Sequence, residues 1–288
     1  MFRVLVTAAF LLSPLLAQDG LPDIEVLLGQ GIAQFQSKHY PEAIAVFQKV
    51  LEVNPAAAHW YLAQIYLAQY VPGDRGTGNV VFAERARTEF ERLLDLNSQN
   101  TNIMASLGCL SYQEAQGIDN LQDKDTKMDE ARTWYQRWLS VDAESHKANY
   151  AIGVVDSQKL YYALMAARSK IGMKPDVLSP LTDAAIRQEL GKKYNSVIDD
   201  GIAHLARAME VDPEDSAAMS YMSLLIRERA DLRDTQDEYN EDVAASAAWA
   251  QKVRHGGKSA ASATQESPSG LPAMTAPVPP SCGRSGRH

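Results

Sequence analysis

Residues 31–55 read GIAQFQSKHYPEAIAVFQKVLEVNP, a stretch with two helical patterns of apolar residues around a short turn. Gly31 lies in the first pattern, Ala43 and Phe47 lie one turn apart in the second, and Pro55 closes the unit. A small side chain lets two helices approach closely, and a bulky side chain one turn later fills the space beside the crossing. The stretch therefore predicts a pair of packed helices.

The same spacing recurs along the chain, which indicates an internal repeat. A small residue of the first helix returns at Gly31, Ala63, Gly108, Gly153 and Ser223. A small residue of the second helix returns at Ala43, Ala86, Ala131, Gly201 and Ala245, and a bulky residue follows four places later at Phe47, Phe90, Tyr135, Leu205 and Trp249. The pattern predicts helical hairpins in register, in preference to an ordinary bundle with alanine-rich contacts.

This pattern resembles the tetratricopeptide repeat, whose two helices pack through one small residue each. The resemblance covers residues from about Ile24 to Arg254. It implies an all-α, right-handed solenoid of about five helical hairpins. The long spacing between the two small residues of the later units also resembles a subgroup of exported bacterial tetratricopeptide proteins.

The later units carry insertions between their two helices. We expect loops over residues 70–80 and 117–128. In the fourth unit the first helix is expected to reach Ile171, and a further helix, capped by Ser179-Pro180, is expected to end near Tyr194.

The two ends of the chain differ from its middle. Residues 1–17 combine Arg3 with a short apolar run and predict a signal peptide, so the protein is expected to be exported, either periplasmic or secreted. Residues 18–254 form the expected repeat domain. Residues 255–288 are rich in Gly, Ser, Ala and Pro and are expected to be disordered. No structural disulfide is expected between Cys109 and Cys282, because one lies in a predicted helix and the other in this tail.

Charge and motifs exclude several classes of function. The whole chain carries a net charge of −8, and its two ends carry three positive charges, so the repeat domain carries about −11, which argues against nucleic acid as a partner. No stretch is long and apolar enough to span a membrane. Residues 73–78 lack the Lys-Ser/Thr of a phosphate loop, and residues 119–130 lack the glycine of a calcium loop. We therefore expect no catalytic centre, cofactor or metal.

The resemblance also implies a binding surface. In the family the first helices line a concave groove, with ligand contacts three residues before the small position and one and four residues after it. The candidate groove residues are Leu28, Phe35, Trp60, Gln64, Tyr112, Tyr150 and Arg227. Arg227 is alternatively expected to pair along its own helix with Asp231 and Asp234.

Three functional hypotheses follow. The first is an exported scaffold or adaptor for protein or peptide, with a role in cell-envelope assembly. The second is self-association of the array. The third is a ligand-binding receptor or enzyme accessory that uses the insertion at residues 157–200 as a lid.

Overall fold

The computed structural model describes residues 23–174 and 179–256, which form ten helices and no strand. The helices are α1 (Ile24–Gln36), α2 (Tyr40–Val50), α3 (Pro55–Gln69), α4 (Thr77–Leu96), α5 (Thr101–Gln116), α6 (Leu121–Val141), α7 (His146–Lys170), α8 (Ala184–Val211), α9 (Ser216–Ala230) and α10 (Gln236–Gly256). Helix α1 packs on α2, α5 on α6, α7 on α8 and α9 on α10. The all-α class is therefore confirmed, and ten helices are consistent with about five hairpins. The predicted signal peptide and almost all of the predicted tail lie outside the described residues.

Backbone contacts divide the chain into two compact units, residues 1–61 and residues 62–288, with the boundary inside α3. In the first unit α1 packs on α2. A Cβ added to Gly31 would lie 2.6 Å from the tip of the Phe47 ring, which is fully buried. That ring stacks on Tyr61, with centroids 4.7 Å apart. The glycine therefore makes room for the bulky residue, as the sequence pattern predicts.

The second unit repeats this crossing. A Cβ on Gly108 of α5 would lie 2.7 Å from the ring of Tyr135 on α6, and one on Gly153 of α7 would lie 2.6 Å from Leu205 Cδ2 on α8. Gly201 of α8 lies between its own hairpin and the next one, because its added Cβ would lie 3.0 Å from Asp156 Cβ on α7 and 2.8 Å from Leu225 Cδ2 on α9. Gly153 thus allows α7 and α8 to pack closely within one hairpin, and Gly201 allows α8 to pack closely on α9 of the next hairpin.

The register of the last hairpin differs from the prediction. Ser223 of α9 packs on Ser246 of α10, and each hydroxyl donates to the other residue's carbonyl oxygen, at 2.9 and 2.8 Å. Ala245 is exposed, and Trp249 lies half-buried with Lys252 Nζ 3.8 Å from its ring centroid. The predicted Ala245 and Trp249 positions are therefore wrong by one residue, because the hydroxyl pair sets the crossing.

Both predicted loops are shorter in the structure than expected. α6 begins at Leu121 because Asn120 caps it, accepting hydrogen bonds from the backbone N–H groups of Gln122 and Asp123. Lys124, Asp125 and Met128 are then buried on one face of the helix, so the predicted loop over residues 117–128 is wrong beyond residue 120. The predicted loop over residues 70–80 likewise ends before Thr77, where α4 begins.

The fourth hairpin owes its length to two long helices. α7 ends at Lys170, one residue before the predicted Ile171, and Gly172 with a φ of 70° provides the left-handed residue that stops it. α8 begins at Ala184, capped by Asp183, and runs unbroken to Val211. The prediction of a separate helix that is capped by Ser179-Pro180 and ends near Tyr194 is wrong. A shared buried face at Tyr194, Ile198 and Gly201 makes the segment one helix.

Candidate binding surface on the first helices

The candidate groove residues of the first unit lie partly open to solvent. Leu28 and Phe35 of α1 and Trp60 of α3 are half-buried. The Phe35 ring lies near Tyr40, with centroids 6.3 Å apart at a tilt of 48°. The residues therefore present apolar and aromatic surface at the predicted register.

In the second unit, residues at these same repeat positions differ in solvent exposure from one helix to the next. We define the first-helix face as the residues three before, one after and four after the small position on α5, α7 and α9. These are Ala105, Cys109 and Tyr112, then Tyr150, Val154 and Ser157, and then Ser220, Leu224 and Arg227. The residues on α5 and α7 are buried, whereas the three on α9 are half-buried, as is Gln64 on α3.

Four tyrosines, Tyr112, Tyr150, Tyr162 and Tyr221, form a cluster along this face, which we call the tyrosine cluster. The rings of Tyr150 and Tyr221 meet edge to face, with centroids 5.9 Å apart. Tyr162 donates a hydrogen bond to Gln116 of α5, and Lys124 Nζ lies 4.0 Å from its ring centroid. Tyr112 and Tyr150 are only 3% and 4% exposed, so in this state they contact their own chain.

Burial dominates the chemistry of the cluster. It raises the pKa of Tyr112, Tyr150 and Tyr221 far above the ordinary value, and neighbouring acidic or hydroxyl groups raise it further. These hydroxyls therefore stay protonated and able to donate hydrogen bonds. The Tyr112 hydroxyl oxygen is buried and has no hydrogen-bond partner among the described residues. An unpaired buried hydroxyl of this kind costs free energy of folding.

The carboxyl group of Glu228, a half-buried residue, lies beside the cluster. Ser157 Oγ donates to Glu228 Oε2 of α9 at 3.4 Å. Burial, and secondly the charge of Asp231, raise the pKa of Glu228 well above its ordinary value. The carboxyl group therefore retains its proton more readily than an exposed glutamate and adds a polar group without a full negative charge.

Arg227 is already engaged within its own region. Its Nη1 lies 2.9 Å from Asp231 Oδ1, its Nη2 donates to Tyr239 Oη at 3.1 Å, and its guanidinium lies 5.3 Å from the Tyr239 ring centroid. The predicted pairing with Asp231 is confirmed. The predicted pairing with Asp234 is wrong, because Asp234 pairs with Arg187 of α8 at 3.4 Å.

The state of the Cys109 thiol group differs from the expectation. It is 7% exposed on α5 and is disulfide-bonded. The expectation that no disulfide forms is therefore wrong for Cys109. The sequence contains one other cysteine, Cys282, which lies outside the described residues.

Ion pairs join consecutive hairpins beside the face. Arg132 of α6 binds the fully buried Asp156 of α7 through Nε at 2.9 Å and Asp200 of α8 through Nη2 at 3.0 Å. Asp156 Oδ2 has no hydrogen-bond partner within the described part of the chain. Burial raises the pKa of Asp156 to about 7, although Arg132 opposes the shift. The Arg132–Asp156 ion pair fixes the register between α6 and α7, although Asp156 Oδ2 lacks a hydrogen-bond partner among the described residues.

A buried arginine, Arg168, ties the long fourth hairpin to the fifth. Arg168 of α7 is 2% exposed, and its Nη2 lies 2.6 Å from Asp231 Oδ2 and 2.8 Å from the Ser179 carbonyl oxygen. The Leu181 N–H also donates to the Asp231 carbonyl oxygen at 3.1 Å. The part of residues 157–200 that the structure describes is therefore anchored through buried contacts to α9.

Sequence reasoning missed Tyr221 and Glu228. Both lie on α9 outside the three register positions taken from the family. Tyr162 was part of the proposed lid and not of the groove. Tyrosine recurs on successive first helices, and this recurrence was the available signal. It predicts a cluster of tyrosines only once the lengths of the helices are known.

The described residues contain no group of His, Cys, Asp and Glu side chains arranged to hold a metal ion. In particular, Asp123 and Asp125 of the partial calcium pattern lie on helix α6. Within the described residues, no helix combines the length and the low charge that a membrane crossing requires.

The described helices form an all-α repeat architecture of hairpins closed by small-to-bulky crossings. Solved structures similar to this chain include MamA, at 11% identity over 83% of this chain and 98% of that one, with a TM-score of 0.44. Another is YrrB, described as a TPR protein with an unusual peptide-binding site, at 13% identity over 82% and 92% and a TM-score of 0.42. A third is TTC0263 of Thermus thermophilus, a thermophilic TPR protein, at 16% identity over 71% and 100% and a TM-score of 0.36.

No protein-family model matches the chain, and no curated protein matches it.

Proposed function

We propose that this protein is an exported, non-catalytic scaffold that binds a protein or peptide on its first-helix face. The main support is that the solvent exposure of the residues changes along that face. Ser220, Leu224 and Arg227 on α9 remain half-buried, whereas the equivalent residues on α5 and α7 are buried. Partly open apolar and polar groups beside an aromatic cluster suit an extended or helical peptide.

The charge supports a protein partner over nucleic acid. The repeat domain carries about −11, and a polyanion would be repelled by it. Export rests on the apolar run after Arg3, and a role in cell-envelope assembly follows from export. A non-catalytic role is supported by the buried ion pairs, in which Arg132 and Arg168 bind carboxylates of their own chain.

The alternative receptor with a lid over residues 157–200 is less well supported. A lid must leave its site at modest cost. Here Arg168 is buried against Asp231, and Tyr194 donates to the buried Asp125 at 3.0 Å. These contacts favour a fixed element over a moving one.

Self-association is the second candidate, and one observation favours it. Large apolar residues recur ten places after the small residue of successive second helices of the second unit. They are Leu96, Val141 and Val211, and they are 57%, 42% and 52% exposed. A row of exposed apolar side chains is a surface that a second copy could cover. Light scattering of the mature chain at rising concentration tests this, and a monomer at every concentration removes it.

Photo-crosslinking tests the scaffold. A photo-crosslinking amino acid replaces Leu224 on the first-helix face or, as a matched control, the exposed Gln136 on α6. The proposal predicts a reproducible adduct with a specific envelope protein from Leu224 and none of comparable yield from Gln136. Equal adducts from both positions, or none from Leu224, would contradict it.

A further inference from the structure

A groove lies between the second helices α4 and α6 of the second unit. Its volume is about 660 Å³, which falls in the range of protein pockets that hold a bound molecule. Side chains from both helices line it, namely Thr88, Glu91, Arg92 and Asp95 of α4 and Trp134 and Arg137 of α6. The groove can therefore admit side chains of a second molecule.

A tryptophan and an arginine give the groove the residue types that dominate binding at protein interfaces. Trp134 is half-buried, and the guanidinium of the exposed Arg137 lies 5.4 Å from its ring centroid. Trp and Arg are enriched among the residues that carry most of the binding energy. Arg137 Nη2 donates to the Ser98 carbonyl oxygen at 3.4 Å, a long bond, so Arg137 can turn toward a second molecule at little cost.

An apolar side chain projects beside the groove. Leu96 is the last residue of α4 and is 57% exposed. It lies between Asp95 and Ser98, which both line the groove, and so it stands at the rim. Val141, one turn after Arg137 on α6, is 42% exposed and extends the apolar rim. A projecting leucine and a groove that contains a tryptophan thus lie side by side on one surface.

The charges of the groove are balanced. Glu91 and Asp95 supply two carboxylates, and Arg92 and Arg137 supply two guanidinium groups. The repeat domain as a whole carries about −11, so two copies repel one another over most of their surface but not here. Arg92 and Asp95 lie 3.8 Å apart with side chains that are 63% and 72% exposed. An ion pair of this kind is weak, so its members can exchange partners.

These features suit a second copy of the same chain. A two-fold axis places one patch of each copy against the same patch of the other, so the patch must be complementary to itself. A protrusion beside a groove, with equal numbers of opposite charges, meets this requirement. An acidic or a basic peptide would use only half of the charges.

We propose that two copies of this chain associate about a two-fold axis through the α4–α6 groove. Leu96 of each copy enters the groove of the other beside Trp134, and Asp95 of each copy pairs with Arg137 of the other. The proposal rests on self-association, the second candidate function, to which it assigns a site and a symmetry. It is independent of partner binding on the first-helix face.

The dissociation constant of the dimer tests the leucine contact. It is measured by sedimentation equilibrium of the mature chain in a reducing buffer, which prevents a disulfide between copies. Leu96→Asp should raise the Kd about 100-fold, because the substitution acts at two equivalent contacts and each loses about tenfold.

Val80→Asp is the matched control for Leu96→Asp. Val80 is an exposed apolar residue of the same helix, 46% exposed, and lies about 24 Å from Leu96 along the helix axis. This substitution adds the same charge outside the groove and should change the Kd by no more than about twofold.

A charge exchange tests the symmetry. Asp95→Lys alone, or Arg137→Glu alone, places like charges at both contacts and should raise the Kd about tenfold at low ionic strength. When the two variants are mixed, each contact of the heterodimer again joins opposite charges, so the heterodimer should regain the wild-type Kd. Mixing does not restore a misfolded variant, so this result separates lost contacts from lost folding.

The outcomes separate this proposal from the proposed functions. A wild-type monomer at every concentration overturns both self-association and this site, and it leaves the scaffold function, which crosslinking from Leu224 tests, unaffected. If the wild type is a dimer but Leu96→Asp and Val80→Asp have the same Kd, the groove is overturned and self-association stands. A mixture of the two charge variants that forms no heterodimer overturns the two-fold arrangement.

Discussion

The substitution Gly153→Ala tests whether close packing at the hairpin crossing determines the fold. The added methyl group would lie 2.6 Å from Leu205 Cδ2 and 3.1 Å from Leu205 Cδ1, closer than normal van der Waals contact. Leu205 is fully buried, so it cannot move out to solvent. Overpacking of this kind costs about 1–3 kcal/mol of the free energy of unfolding.

The control must carry the same change in helix propensity. Gly191→Ala provides it, because Gly191 lies inside α8 of the same hairpin and its added Cβ would lie 3.5 Å from Asn195 Nδ2, an ordinary contact. Both substitutions gain about 1 kcal/mol of helix propensity. The difference between the two variants therefore isolates the packing cost.

Urea unfolding followed by far-UV circular dichroism gives the free energy of unfolding of both variants. Gly191→Ala should be slightly more stable than the wild type. The free energy of unfolding of Gly153→Ala should be about 1–3 kcal/mol lower than that of Gly191→Ala. The reasoning is refuted if the two variants agree within about 0.5 kcal/mol.

Three further predictions concern polar groups. Because the pKa of Asp156 is raised to about 7 from 3.8, the native state keeps a proton that the unfolded chain loses, so stability falls as pH rises through this window, by at most about 4 kcal/mol. Asp156→Asn should remove that slope, and a pH-independent difference between wild type and variant would contradict it. Arg168→Met removes one of the two arginine partners of Asp231, which keeps Arg227, and it leaves the Ser179 carbonyl oxygen without this donor. It should cost about 1–3 kcal/mol in thermal or urea unfolding, whereas a cost below about 0.5 kcal/mol would show that the contact is weak. Asn120→Ala removes the cap of α6 and should cost about 1 kcal/mol, with Asn102→Ala on exposed α5 surface as a control near zero.

The helical repeat could be predicted because its signal is local and repeated. Gly31, Gly108 and Gly153 each precede a bulky residue at a fixed place on the next helix, and the structure confirms each contact. Hydrophobic periodicity identifies such crossings without tertiary information. The last crossing was placed one residue too early because a serine pair, and not an apolar side chain, sets it.

The lengths of the helices and the exposure of the surface could not be predicted in the same way. Polar residues 121–128 read as a loop, but Lys124 and Asp125 are buried, and Asp125 joins an ion network with Lys159 and Lys193. Whether a polar residue is exposed or paired depends on neighbouring hairpins, which one sequence does not specify. The same limit applies to Tyr112 and Tyr150, which have the predicted register and are nevertheless buried.

A double-mutant cycle on Gly153 and Leu205 measures most directly whether the small residue exists to admit the bulky one. Leu205→Ala alone leaves a cavity, whereas in the Gly153→Ala background it also relieves the clash. The account predicts a favourable coupling of at least about 1 kcal/mol between the two substitutions. Effects that add within about 0.5 kcal/mol would contradict the account, because the two side chains would then not share the crossing.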